Sequence, residues 1–252
     1  MNKIRVLSVF GTRPEAIKMA PVVKALEEDE RFKSIVCITA QHREMLDSVM
    51  NIFNIKADYD LDIMSHGQTI VDISNKVLKG VDEVIKKCSP NIVLVHGDTS
   101  TTLNSAMAAF YNKVPVGHVE AGLRSYDKYS PFPEEMNRKL TGSIAEFHFA
   151  PTENNKINLI NEGISSGKIY LTGNTVIDAL KSVVKENYSF EDENLNKIDF
   201  ENKKIILLTT HRRENWGKPM ESIFASIIDL LNTNKDIEVI FPMHKNPSIR
   251  AL

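Results

Sequence analysis

The sequence is short of the residues that mark several protein classes. Its only two cysteines, Cys37 and Cys88, cannot build a disulfide framework, and neither stands at a metal-ligand spacing. It lacks an excess of either charge: 31 basic residues face 33 acidic ones, for a net charge of -2. A nucleic-acid coat or a polybasic membrane binder needs a cationic footprint, so both classes are disfavoured. Long hydrophobic runs are missing too. Ile92–Val95 and Ile205–Leu208 are strand-sized, far below the roughly 20 residues that span a bilayer. Met1-Asn2-Lys3 runs straight into an apolar strand, without a signal-peptide core. No internal repeat or low-complexity tract is visible. The expectation is a soluble cytoplasmic protein with reduced thiols. Its 252 residues suffice for one large domain or up to two ordinary ones.

What is present is an alternation of short apolar runs and helical-period segments. Ile4–Phe10 predicts a strand, and Pro14–Glu28 a helix with Ala16, Ile17, Ala20, Val23 and Leu26 on about one face. Ile35–Thr39 and His42–Phe53 repeat the pair. Gln68–Lys87 is the clearest helix, with Ile70, Ile73, Val77, Val81 and Val84 recurring at three or four. Strands are expected at Asn91–Val95, Pro115–Val119, Phe147–Ala150 and Ile169–Thr172. Helices are expected at Thr99–Tyr111, Pro133–Ala145, Thr152–Glu162 and Thr175–Glu186. Strands apolar on both faces, with helices between them, imply a parallel, doubly wound α/β sheet.

The polar segment Asn187–Asn202 is aperiodic and predicts a loop near the start of a second domain. Strand Lys204–Thr210, helix Pro219–Asn232 and strand Glu238–Phe241 follow. Asn246-Pro247 has the form of a helix start, and two strands are too few for an independent α/β core. We therefore expect a fragment: a first domain over residues 1–172 and part of a second over 173–252.

Six polar clusters directly follow apolar strands, at Gly11–Glu15, Gln41–Arg43, His96–Thr99, His118–Gly122, His211–Asn215 and His244–Asn246. Five of the seven histidines fall in or beside them. In parallel sheets ligands bind beyond the carboxyl ends of the strands, so all six clusters are expected at such an edge, in two facing sheets. In the first, Gly11 permits a tight turn and Pro14 presets a helix start. The helix N-terminus there suits an anion, with Arg13 and Lys18 adding charge. It matches neither a Walker A motif nor a dinucleotide fingerprint.

Asp98, Glu120 and Glu134 form a set of carboxylates suited to proton transfer, because crowding raises their pKa values. The plainer readings are an N-cap for Asp98 and a surface pair with Arg138 for Glu134. Glu120 lies between Val119 and Ala121, a context in which an unpaired charge is costly. His211, Arg212 and Arg213 suit a pyrophosphate or a leaving phosphate. The plainer readings are a solvated loop there and a structural role for His244.

Taken together, the chain resembles the non-hydrolysing UDP-N-acetylglucosamine 2-epimerases. FGTRPEAIKMAP, TAQHREML, VHGDTSTT, VPVGHVEAGLRS, YSPFPEEMNR, LTGNTVIDAL and THRREN stand in the family's order. The resemblance implies a GT-B fold of two Rossmann-like domains, the second incomplete in this chain. It also implies an isomerase that interconverts UDP-GlcNAc and UDP-ManNAc for envelope or capsular polysaccharides. The implied route is UDP elimination to 2-acetamidoglucal and re-addition. Asp98, Glu120 and Glu134 become the acid/base candidates, in an order left open, and His211 the assistant to leaving UDP. Arg13, Lys18, Arg138, Arg212 and His244 become substrate contacts. Gln41, His42 and Arg43 match a second, activating UDP-GlcNAc site, although Glu44 and Gly67 depart from the activated version. No metal or redox cofactor is implied, and the full-length form is expected to be a cytoplasmic homodimer. This shorter chain is expected to turn over poorly. The alternatives are a hydrolysing epimerase, a GT-B glycosyltransferase and a non-catalytic UDP-sugar-binding module.

Overall fold

A computed structural model describes residues 3–40, 43–65, 67–186, 188–210 and 216–243. The chain divides into two units, Met1–Val184 and Lys185–Leu252. Gln41, His42, His211, Arg212 and His244 lie outside the described residues.

The first unit is a seven-stranded sheet in the order β3-β2-β1-β4-β5-β6-β7, with every pairing parallel. Its strands are β1 (Ile4–Phe10), β2 (Phe32–Ile38), β3 (Tyr59–Asp60), β4 (Ile92–His96), β5 (Val116–Val119), β6 (Phe147–Ala150) and β7 (Ile169–Leu171). The helices are α1 (Arg13–Glu28), α2 (Arg43–Ile52), α3 (Ile70–Cys88), α4 (Ser100–Tyr111), α5 (Glu134–Ile144), α6 (Glu153–Asn161) and α7 (Thr175–Val183).

The two-residue period of β1 sorts its side chains between two cores. Leu7 and Val9 pack with Ile73, Val77, Val81 and Val84 of α3 and the alanines of α4. Val6 and Phe10 pack with Ala16, Met19, Ala20 and Val23 of α1 and with Leu46 and Val49 of α2. Each fully buried aliphatic side chain contributes about 1.5–3 kcal/mol, so the sheet is covered on both faces, as its apolar strands require. The expected helix at Gln68–Lys87 begins two residues later, because Thr69 caps it by accepting from Asp72 N at 3.2 Å. Ser89, left-handed at φ 44°, ends it.

The second unit pairs β8 (Lys204–Leu207) with β9 (Ile237–Ile240) in parallel, joined by α9 (Lys218–Thr233). A one-turn helix, α8 (Glu193–Asn196), lies in the stretch expected to be a loop, started by Asp192 accepting from Asn194 N at 2.8 Å. A four-residue helix is too short to leave a periodic apolar signal. The two-residue β3 escaped notice for the same reason. Among the described residues, no helix is long and apolar enough to cross a membrane.

Candidate active site

The strand order turns about β1: β2 and β3 continue to one side, and β4 to β7 to the other. Such a switch opens a crevice beyond the strand ends. The loops after β1, β4 and β5 meet there, together with the start of α5.

At the end of β1, Gly11 is fully packed. A Cβ there would stand 1.9 Å from Thr39 Oγ1 and 2.8 Å from Thr101 Oγ1. Its backbone is not left-handed, so glycine is needed for close approach and not for the tight turn expected from the sequence. The anion at the start of α1 is the chain's own. Glu15, 2% exposed, accepts from Gly11 N at 3.0 Å and Thr12 N at 2.7 Å through Oε2. Its Oε1 accepts from Thr99 Oγ1 at 2.6 Å and Thr102 Oγ1 at 3.1 Å. This buried carboxylate, not singled out from the sequence, ties the start of α1 to the start of α4. Its one sequence signal was its spacing of three from Thr12, a capping-box pattern. Arg13 is exposed and makes no ion pair among the described residues.

Asp98 follows β4, and Thr99, not Asp98, caps α4, accepting from Thr102 N at 3.1 Å. The Asp98 carboxylate is therefore left for the crevice. It pairs with Arg138 Nη2 at 2.9 Å, while Asn137 Nδ2 donates to its backbone carbonyl at 2.9 Å. Burial pushes its pKa up to about 6. Arg138 opposes that rise, and Glu134, Glu120 and Glu15 reinforce it.

Arg138 thus serves Asp98 and is not the surface partner of Glu134. Its Nε donates to the Glu134 backbone carbonyl at 3.4 Å and lies 3.5 Å from Glu135 Oε2, not against the Glu134 carboxylate. Among the described residues, Glu134 keeps a buried Oε2 without a hydrogen-bond partner. Its neighbour Glu135, 1% exposed, accepts from Ser125 N and Tyr126 N, both at 3.0 Å. Burial works against the Glu135 charge, but those amides and Arg138 outweigh it and hold the carboxyl below its usual range.

Glu120 follows β5 in a left-handed conformation, φ 61°. Its Oε1 pairs with Lys18 Nζ at 2.5 Å and accepts from Asn174 Nδ2 at 3.0 Å. Its Oε2 lies 3.5 Å from His96 Nε2. Burial, with Lys18 nearby, drives the His96 pKa down to about 3, so the ring is neutral at pH 7. His118 is fully buried and meets Gly97 O through Nε2 at 2.7 Å, holding the left-handed Gly97 (φ 67°) beneath the site. Arg43 lies apart from these groups, engaged by Asp60 at 2.5 Å, Asp47 at 3.2 Å and Asp62 at 3.5 Å. A hollow of about 320 Å³ lined by Val6, Val22, Leu26, Ile92 and Phe149 is apolar throughout and offers no such chemistry.

Three carboxylates with unlike partners, one lysine and one arginine thus converge at the switch point. The family profile described as UDP-N-acetylglucosamine 2-epimerase matches residues 24–252. The chain belongs to that family.

Within the family, the chain is 51% identical over 250 residues to the UDP-N-acetylglucosamine 2-epimerase of Bacillus subtilis, covering 99% of this chain and 65% of that protein. It is 49% identical over 260 residues to the Escherichia coli K12 protein of the same name, covering 98% of this chain and 67% of that one. Among solved structures, it resembles the Neisseria meningitidis UDP-GlcNAc 2-epimerase bound to UDP-GlcNAc. There the TM-score is 0.84 and the identity 47%, over 98% of this chain and 68% of that one. A lipopolysaccharide outer core galactosyltransferase shares the fold alone, at 12% identity and TM-score 0.56. The fold is the GT-B type of these relatives, and the chain spans 65% of the length of such a relative.

Proposed function

We propose that this chain carries the acid/base centre of a UDP-GlcNAc 2-epimerase that interconverts UDP-GlcNAc and UDP-ManNAc. The observation that carries the reading is the contrast between two carboxylates beyond adjacent strands. Asp98 titrates near 6, which allows it to hold or release a proton near neutral pH. Glu120 is ion-paired to Lys18. Glu134, with an oxygen unpartnered among the described residues, completes the set.

In the proposed reaction a carboxylate takes the C2 proton while the C1–O bond to UDP breaks, giving 2-acetamidoglucal and free UDP. The UDP oxygen then re-forms the bond at C1, and a carboxylic acid delivers a proton to the opposite face of C2. By the family resemblance His211 assists the leaving UDP, Arg13, Lys18, Arg138, Arg212 and His244 contact the substrate, and Gln41, His42 and Arg43 belong to a second UDP-GlcNAc site. Homodimeric assembly and a cytoplasmic setting belong to the same proposal.

Exchange at C2 reads the proton transfer directly. Incubation of the full-length form with UDP-GlcNAc in D2O is expected to place deuterium at C2 and to yield UDP-ManNAc, whereas this shorter chain is expected to turn over little. Asp98→Asn is expected to slow exchange by roughly 10²- to 10⁴-fold. Free ManNAc with UDP, or sugar transferred to an added acceptor, would refute the proposal in favour of a hydrolysing epimerase or a transferase.

A further inference from the structure

The link between Glu120 and Asn174 has no part in the proton transfer above, yet it joins two distant pieces of chain. Asn174 stands between β7 and α7 and uses both ends of its amide. Its Oδ1 accepts from Val176 N at 3.1 Å, capping α7. Its Nδ2 donates to Glu120 Oε1 at 3.0 Å.

Glu120 needs such a hold. A non-glycine residue in the left-handed region is strained and persists only when its surroundings over-determine it. The charged and titratable groups around it are Lys18 from α1, His96 at the end of β4 and Asp98 just beyond. His96 is neutral, and Asp98 becomes a like charge when ionised. Lys18 is then the single cation paired with Glu120 among the described residues, and it shares Oε1 with Asn174. With both donors on Oε1, Oε2 is left without a hydrogen bond among the described residues, on the side of the loop that carries Asp98.

We propose that Asn174 is a positioning residue for Glu120. By donating to Oε1 beside Lys18, it fixes the carboxylate's rotation and keeps Oε2 open for proton transfer. The inference deepens the epimerase reading and rests on it for the role of Glu120. Asparagine suits the place because it can cap a helix and donate at once. Aspartate and serine cap equally well, but aspartate has no donor when ionised and serine is too short to span the gap.

That difference separates positioning from capping. In Asn174→Asp the cap is kept, the donor is lost, and a second carboxylate competes for Lys18. The Glu120 carboxyl can be followed by 13C NMR in chain labelled at glutamate, with Glu120→Gln assigning the signal. We expect Asn174→Asp to stay folded but to melt below the unsubstituted chain at pH 7, as a like charge beside a carboxylate requires, to move the Glu120 titration to higher pH, and to slow C2 exchange in the full-length form roughly tenfold or more. Asn174→Ser, which keeps a cap and adds no charge, is expected to melt closer to the unsubstituted chain and to shift the Glu120 titration less.

If both variants stay folded and leave the Glu120 titration in place, Asn174 is only a cap and the proposal is overturned. If Asn174→Asp moves the titration but not C2 exchange, positioning for proton transfer is likewise overturned. Absence of C2 exchange in the unsubstituted full-length form would count against the epimerase reading, while the carboxyl titration would still decide the contact between Asn174 and Glu120.

Discussion

Asp98 lies 2.9 Å from the Arg138 guanidinium, yet burial still lifts its carboxyl from 3.8 to about 6. The folded chain therefore holds this proton more tightly than the unfolded chain does. Stability falls as pH rises from about 4 through about 6, and the full cost, on the order of 2–3 kcal/mol, persists above that window. Asp98→Asn is expected to raise the melting temperature at pH 8 and to lose that advantage progressively below pH 6. Melting curves across pH 4–8 would check this, and a constant difference would refute it. Glu135 follows the opposite sign. Its lowered pKa contributes stability above the usual glutamate range, lost as pH falls through it. One carboxylate is thus held in place by backbone amides, while the other remains costly to ionise.

At the scale of elements, α1, α4 and α5 are joined through polar groups at their N-terminal ends. Glu15 reaches from α1 to Thr99 and Thr102 of the α4 start, and Arg138 reaches from α5 to Asp98. Gly11 lets the first of these junctions close. Gly11→Ala would drive a methyl to 1.9 Å from Thr39 Oγ1, and overpacking of this kind is expected to cost about 3 kcal/mol in urea unfolding. Because the clash is mainly with one side-chain oxygen, adding Thr39→Ala is expected to recover part of that loss. A purely conformational need for glycine would show no recovery. The element boundaries make a related point. The α4 segment was readable from its apolar content, but which residue caps it was not, since Asp98 and Thr99 are both good caps. Hydrogen bonding across the crevice selected Thr99 and released Asp98.

Over the whole molecule, the two units differ in how much they bury. The first carries cores on both faces of its sheet, whereas Met220 is the one buried residue among those described in the second. Exposed stretches with few buried contacts open most readily to proteases. Lys185, Lys197 and Lys203 are all exposed. Brief trypsin treatment is expected to cut there first and leave residues up to about 184 folded. Mass spectrometry with circular dichroism would check this, and simultaneous loss of both units would contradict it. The division after Val184 also keeps α7, with its Asn174 cap, in the first unit, whereas the expected first domain ended at Thr172. A unit is bounded by where helices pack, and α7 packs on α1; the polar segment from Asn187 begins just past that division.

The sequence by itself determined the alternation of strands and helices, the parallel sheet, and the carboxylates beyond the strand ends. These follow from local periodicity and from the rule that parallel strands present their carboxyl ends on one edge. It also carried the long motifs through which the family resemblance was found. Only the tertiary structure decided the partners. Lys18 of α1 meets Glu120, more than a hundred residues away, and Arg138 turns from Glu134 to Asp98. Glu15 becomes a buried tie, and Asn174 reaches Glu120. Such pairings depend on which strands lie side by side and on which charges share a desolvated crevice. A one-dimensional pattern does not contain those distances, whereas the folded sheet sets them.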